Sequence, residues 1–277
     1  MNKDIVVFIC THGRPDKQYT LEALRSSGYS GVVCLIVDDE DDTYEDYLKL
    51  TDATTIVHKF CKQYYIDRVD LGYSRANAKR GAILYAKCEC ESFAKRTGTK
   101  FFIIADDDIT GFRYRYEYEG RLKSETVTKN MDSIICEYCN TMLGSGIVAS
   151  SFGDVRAYIG GVVKNSRIPY NFVFRNAEFD FDWLAEMYED TVSPIMNNMY
   201  GRYTIQLPHV QLNMKEIDAK EDGGMKDIYN VMSVYKRAFI PKMFSPTCIR
   251  ISNNRVGFEL IVDNAFPKLI SSTVKKR

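Results

Sequence analysis

The sequence predicts an α/β protein built on a mostly parallel sheet flanked by helices, in a single large domain. Apolar, β-branched runs alternate with helix-like stretches through the first part of the chain. Polar residues able to do chemistry follow these runs rather than precede them, as expected where parallel strands end along one ligand-binding edge. The length of 277 residues and a hydrophobic content of 45% allow one sizeable core.

The elements follow in order. Residues 5–10 and 32–37 read as strands, 17–26 and 43–50 as helices, and 56–60 as a third strand. A long helical stretch at 74–96 leads to a strand at 101–105. Thr11-His12-Gly13-Arg14 follows the first strand, Asp38-Asp39 the second, and Asp106-Asp107-Asp108 the last. The texture then changes. Arg113-Tyr114-Arg115-Tyr116-Glu117-Tyr118 alternates charge with aromatic, which suits a strand or exposed ribbon. Residues 126–142 read as an amphipathic helix and 147–151 and 157–163 as strands, with Gly160-Gly161 allowing a bend or a close ligand approach. Residues 183–190 and 192–200 read as helices, with Pro194 near the start of the second, and 215–227 as a loop around Gly223-Gly224. No internal repeat or low-complexity segment is present.

The 37 basic and 37 acidic residues cancel, so bulk charge announces no polyanionic partner. Their distribution is uneven. From Gly223 onward ten basic residues face three acidic ones, a balance of +7, leaving −7 on the preceding chain. Such asymmetry permits a basic C-terminal face against a polyanion, or simply a solvated surface with a Lys-Lys-Arg tail. The eight cysteines scatter through apolar or helical stretches, and the charged start Met-Asn-Lys-Asp has no signal-peptide pattern, so a reducing cytoplasm is expected. Cys88-x-Cys90 and Cys136-x-x-Cys139 lack the turn residues of a zinc knuckle and read as reduced thiols in helices. No apolar run is long enough to span a bilayer.

The informative chemistry begins at Phe101-Phe102-Ile103-Ile104-Ala105-Asp106-Asp107-Asp108, an apolar strand ending in three carboxylates. Adjacent aspartates repel, and a hard divalent cation such as Mg²⁺ or Mn²⁺ would relieve the repulsion while keeping positions open for phosphate. An ordinary acidic turn after a buried strand is the plainer reading. Taken in order, Ile9-Cys10-Thr11-His12-Gly13-Arg14-Pro15, Val37-Asp38-Asp39, Gly72-Tyr73-Ser74-Arg75-Ala76-Asn77-Ala78-Lys79-Arg80-Gly81 and the aspartate turn resemble a nucleotide-sugar-dependent glycosyltransferase of the GT-A, Rossmann-like type. The resemblance implies a donor-binding half at 1–110 and an acceptor-binding half at 111–277 of the same domain. Thr11, His12 and Arg14 would lie against the nucleotide, and Asp38 or Asp39 would accept from the base or ribose. Arg75 and Arg80 would approach the diphosphate or sugar, although helix-surface salt bridges would occupy them equally well. Asp106 and Asp108 resemble the Asp-x-Asp metal motif, with Asp108 the direct ligand and Asp106 nearer the ribose or a bound water; Asp107 belongs to the same nucleotide-sugar site. The metal would stabilise the departing nucleoside diphosphate.

Tyr188-Glu189-Asp190-Thr191 resembles the Glu-Asp pair of inverting members, with Asp190 as general base and Glu189 beside it. A helix-terminal acidic pair is the alternative, and Asp180 and Asp182 are fallback bases. His209 lies where similar enzymes supply a third metal ligand, although a lone histidine is more often structural. Glu221-Asp222-Gly223-Gly224-Met225 would suit a lid over the donor. The Cys-Thr-His-Gly-Arg-Pro opening, the Ala-Asp-Asp-Asp-Ile-Thr-Gly-Phe segment and the late Gly-Gly-Met look like phage enzymes that glycosylate hydroxymethylated pyrimidines, relatives of glycosyltransferases found beside base-hydroxylating dioxygenases. That implies a UDP-sugar donor, the 5-hydroxymethyl group of cytosine in double-stranded DNA as acceptor, protection from restriction, and the host cytoplasm as location. A glycan or protein acceptor, a metal-dependent nucleotidyltransferase or phosphohydrolase, and a non-catalytic nucleotide-sugar binder remain open at this point.

Overall fold

The computed structural model describes residues 5–72, 83–153, 168–215, 232–254 and 257–262. One nine-stranded sheet runs in the order 55–60, 32–38, 5–10, 101–106, 172–176, 147–153, 203–214, 109–118 and 121–126. Its first four members, β1 (Ile5–Cys10), β2 (Val32–Asp38), β3 (Thr55–Phe60) and β4 (Phe101–Asp106), are mutually parallel. Beyond β4 the sheet is mixed: β8 (Phe172–Asn176) is antiparallel to β4 and to β7 (Ile147–Gly153), and β9 (Tyr203–Met214) is parallel to β7. The long β5 (Ile109–Tyr118) is antiparallel to β9 and forms an edge hairpin with β6 (Arg121–Thr126). The expected α/β architecture is therefore present, parallel in its first four strands and mixed beyond them.

Side-chain alternation explains the two-sided core. In β1, Val7 and Ile9 join the cluster under α1 (Tyr19–Ser26), α2 (Tyr44–Leu48) and α5 (Met131–Met142). Phe8 and Cys10 point to the other face, with α4 (Ile83–Thr97) and α6 (Glu189–Met199). Strand β4 divides identically, with Ile103 and Ala105 on one side and Phe102 and Ile104 on the other. Fully buried strands of this kind read as continuous apolar runs, which is why β1, β2 and β4 were legible.

Some expectations change. Residues 183–188 are not helical; helix begins only at Glu189. Ala185 and Tyr188 have φ of 72° and 58°, and the Leu184 amide donates to Ser193 Oγ, so this strap wraps over the core instead of coiling. The helix expected from 126 starts at Met131, because Thr126 closes the β5–β6 ladder. Short α3 (Lys62–Ile66), β8, α7 (Val234–Phe244) and the hairpin of β10 (Ile249–Asn254) with β11 (Gly257–Val262) lacked a periodic signal long enough to read. The expected strand at 157–163, the Gly160-Gly161 bend and the lid at 221–225 lie outside the described residues. Cys88, Cys90, Cys136 and Cys139 are free thiols within α4 and α5. Among the described residues no helix is long and apolar enough to cross a membrane.

Candidate active site

Parallel register brings the ends of these strands together: Cys10 of β1 is level with Ile36 of β2 and Asp106 of β4. The aspartate turn is then fixed by its backbone. The Asp106 amide donates to Asn171 O at 2.9 Å, Thr20 Oγ1 donates to Asp106 O at 2.6 Å, and the Ile109 amide donates back to Thr20 Oγ1 at 3.0 Å. The Lys215 amide caps Asp108 O at 2.9 Å. With these carbonyls and amides engaged, the three carboxylates separate by role.

Asp107 is buried and serves the protein. It accepts from Thr11 Oγ1 at 2.8 Å and pairs with Arg14 at 3.3 Å, and Gln18 donates to Thr11 at 2.9 Å. Tyr47 completes the cluster, its hydroxyl 3.0 Å from Thr11 Oγ1 and accepting from the Arg14 amide at 2.8 Å. Three residues expected to face the donor, Thr11, Arg14 and Asp107, thus tie the loop after β1 to the aspartate turn.

Asp106 and Asp108 are half-buried and unlike Asp107 in their surroundings. Burial, set against the pull of Lys87 and reinforced by Asp108, Glu189 and Asp107, pushes Asp106 up to about 8. Burial and the charge of Asp107 push Asp108 up to about 6, and its Oδ1 is buried with no hydrogen-bond partner. Carboxyls crowded in this way gain strongly from a cation that neutralises them together. His209 does not join them. It is exposed in β9, five residues along from Met214, which is level with Ile109; strand rise places it roughly 16 Å from the turn. Among the described residues no group of three or more His, Cys, Asp or Glu could hold a metal.

Asp38 forms a second centre at the end of β2. His12 Nδ1 lies 2.7 Å from one oxygen and Lys62 Nζ 2.8 Å from the other. Burial alone would raise its pKa, but these bonds outweigh burial and hold it at about 2, while the same bond raises His12. Because the folded value lies below the usual 3.8, Asp38 adds about 2 kcal/mol of stability above pH ~4, lost as pH falls toward 2. Urea unfolding of wild type and Asp38→Asn should show a gap that is full at pH 6 and narrowed at pH 3; a pH-independent gap would refute the assignment. Asp39 is exposed and accepts from the Lys62 amide at 2.9 Å, capping α3.

Across the edge, α6 presents Glu189 and Asp190 in its first turn. Glu189 is buried and paired at 2.7 Å with Lys87 of α4, itself buried and 5.0 Å over the Trp183 ring. Burial opposes the Lys87 charge, but Glu189, Asp106 and Asp190 overcome it and raise its pKa. Burial and the neighbouring Glu189 push Asp190 up to about 7, against the pull of Lys87. Lys87 therefore links the aspartate turn electrostatically to the start of α6. The strap ahead of α6 is anchored by Arg175, fully buried and forked onto Glu91 at 2.6 and 3.1 Å, with Trp183 Nε1 donating to the same carboxylate at 3.1 Å. Lys87→Met leaves Glu189 buried and unpaired, so a loss of about 3–5 kcal/mol in chemical denaturation is expected; under ~1 kcal/mol the pair would have no structural weight.

Lys87 carried a readable signal, since Leu84, Lys87, Glu91 and Ala94 share one stripe of α4 and a lysine and glutamate on an apolar stripe call for buried partners. Glu186 carried none. It is 1% exposed with neither carboxylate oxygen hydrogen-bonded, and burial pushes it to about 7. Removal of such a group costs nothing in hydrogen bonds, so Glu186→Leu should raise Tm; a lowered Tm would show that the carboxyl supports the strap. Asp180 and Asp182, the fallback bases, are engaged with Lys95 and Arg202 at the surface. Arg75 and Arg80 lie outside the described residues.

This sheet edge thus combines a pinned turn of paired carboxylates with a second acidic pair across a buried lysine. A family model described as TET-Associated Glycosyltransferase matches residues 5–224, and the chain belongs to that family. It is a glycosyltransferase. No curated protein matches it in sequence. Among solved structures, glucosyl-3-phosphoglycerate synthase from Mycobacterium tuberculosis in complex with Mn²⁺, UDP and phosphoglyceric acid is 8% identical, with a TM-score of 0.49 over 94% of this chain and 87% of that one. The same enzyme with Mn²⁺, UDP-glucose and phosphoglyceric acid is 9% identical, with a TM-score of 0.47 over 96% and 90%.

Proposed function

We propose that this glycosyltransferase moves a sugar from a UDP-sugar to the 5-hydroxymethyl group of cytosine in double-stranded DNA, with inversion at the sugar carbon. The observation that carries the donor half is the state of Asp106 and Asp108: half-buried, crowded, raised in pKa, and with a buried orphan oxygen on Asp108. These residues fit Mn²⁺ or Mg²⁺. Two carboxylates without a third protein ligand suit a hard ion that keeps its remaining positions for water and phosphate oxygens. When bound, it would offset charge on the leaving diphosphate.

The chain's own groups do the rest. His12, Asp38 and exposed Asp39 offer a polar edge to the base and ribose, and Arg75 and Arg80 are retained as candidates for the diphosphate. Thr11, Arg14 and Asp107 hold that edge in place. Asp190 takes the proton of the acceptor hydroxyl as its oxygen bonds to the sugar carbon; the bond to the diphosphate breaks and UDP departs with the electron pair. Residues 1–110 supply the donor side and later segments the acceptor side. The family's description as TET-associated favours an acceptor that base hydroxylation creates, and in a phage such modification would hide DNA from restriction enzymes. The nucleotidyltransferase and phosphohydrolase alternatives give way to family membership.

The test is nucleoside mass spectrometry of hydroxymethylcytosine DNA incubated with the protein, Mn²⁺ and a panel of UDP-sugars. A hexose or pentose increment confined to the hydroxymethylated base supports the proposal and identifies the sugar. Metal-dependent UDP release without any increment moves the acceptor to a glycan or protein.

A further inference from the structure

The loop after β1 is pinned on both sides of His12. Thr11 and Arg14 are tied to Asp107 and Tyr47, and Gly13, at φ 67°, donates its amide to Asp41 Oδ2 at 2.7 Å. Between them the His12 side chain stays 38% exposed, against 8% for Asp38 and 1% for Asp41.

The carboxylates behind the ring are already engaged. Asp38 Oδ2 lies 2.7 Å from His12 Nδ1, and Oδ1 accepts from Lys62 Nζ at 2.8 Å and from the Glu40 amide at 3.0 Å. Asp41 Oδ1 accepts from the Thr43 amide and hydroxyl at 2.8 and 2.6 Å, while Oδ2 lies 3.6 Å from His12 Nδ1. Asp38, expected to accept from the base, is therefore buried and occupied. What this edge offers a ligand is the other ring nitrogen, His12 Nε2, which no described residue hydrogen-bonds. The bond to Asp38 raises the His12 pKa; desolvation and Lys62 oppose it, and the charges of Asp38 and Asp41 add to it. An imidazolium held in this way donates from Nε2 as well.

The ring also stands at a suitable distance from the aspartate turn. β1 lies between β2 and β4, so the strand ends carrying Asp38 and Asp106 are about 10 Å apart. A ribose spans such a gap between a diphosphate at Asp106 and Asp108 and a base at His12. We propose that His12 Nε2–H donates to O4 of the donor's uracil and is the residue that selects the base. Cytosine places an amino group where uracil has O4, which would set two donors against each other and leave both unpaired. The proposal rests on the UDP-sugar reading above and names the group that enforces it.

Calorimetric titration with UDP and with CDP, both in Mn²⁺, tests it. The two nucleotides share ribose and diphosphate, so the ratio of their affinities isolates the base. Wild type should prefer UDP by at least about tenfold, as expected for a hydrogen bond from a charged donor. Asp38, Asp41 and Lys62 are the charged groups facing the ring. Deprotonation removes the Nε2 hydrogen, so the preference should shrink as pH rises through the His12 titration. His12→Phe should bring the ratio to within about twofold at every pH, chiefly through weaker UDP binding. Equal wild-type binding of the two nucleotides, a preference that survives in His12→Phe, or one that grows with pH overturns the assignment and spares the UDP-sugar reading. A preference lost in Asp39→Asn but kept in His12→Phe likewise overturns it and moves base reading to Asp39. Wild type that binds neither nucleotide in Mn²⁺ overturns the UDP-sugar reading and the proposal with it.

Discussion

Asp190→Asn is expected to lower kcat by about 10²–10⁴ while leaving the dissociation constant of the UDP-sugar unchanged. The amide keeps the shape of the side chain but is far too weak a base to take the acceptor's proton. Asp190 sits in the first turn of α6, across Lys87 and Glu189 from the aspartate turn, so its loss spares the donor side. Its pKa, pushed up to about 7 by burial and by Glu189, makes a second demand. The base must be ionised, so kcat/KM should rise with pH through about 7. Loss of the neighbouring cation in Lys87→Met should move that limb upward. Single-turnover kinetics across pH, with donor binding by calorimetry, would decide; a parallel loss of donor affinity would remove Asp190 from the role of base.

Asp108→Ala should have the complementary effect. Metal-dependent transfer should vanish, and the thermal upshift that Mn²⁺ gives the wild type should vanish with it. The metal-free variant should melt no lower than wild type, because the lost carboxylate is repelled by Asp107 and has an unpaired buried oxygen. Differential scanning calorimetry with and without Mn²⁺ separates these outcomes. A lower Tm in the metal-free variant would make Asp108 a structural group and leave the site without its metal ligand. Donor binding should weaken here and not in Asp190→Asn; equal losses would dissolve the division between donor and base sides.

The legible parts of the sequence were those set by local pattern. Strands β1, β2 and β4 are buried on both faces, so their apolar runs stood out, and each runs into polar residues at the same edge of the sheet, Thr11, Asp38 and Asp106. The paired carboxylates of the turn and of Glu189-Asp190 were visible because like charges adjacent in sequence need a reason. Pieces whose structure depends on distant partners were not. The strap 183–188 has helical composition, yet its backbone bonds to Ser193 and Asp70 hold it open. β8 is five residues long and becomes a central strand only because β4 and β7 lie on either side.

By itself the sequence determined the α/β class, the edge where polar and acidic residues gather and the residue types found there, because hydrophobic period and charge adjacency are local properties. Tertiary structure alone decided which carboxylates are spent and which remain. Asp107 is consumed by Thr11 and Arg14, while Asp38 is held ionised by His12 and Lys62. Asp106, Asp108 and Asp190 keep raised pKa values in a partly buried edge. His209, similar in sequence to a third metal ligand, lies far along β9. The ionic state of a carboxylate depends on what surrounds it in three dimensions, and those neighbours come from strands and helices far along the chain, as Lys87 and Glu189 do at a separation of 102.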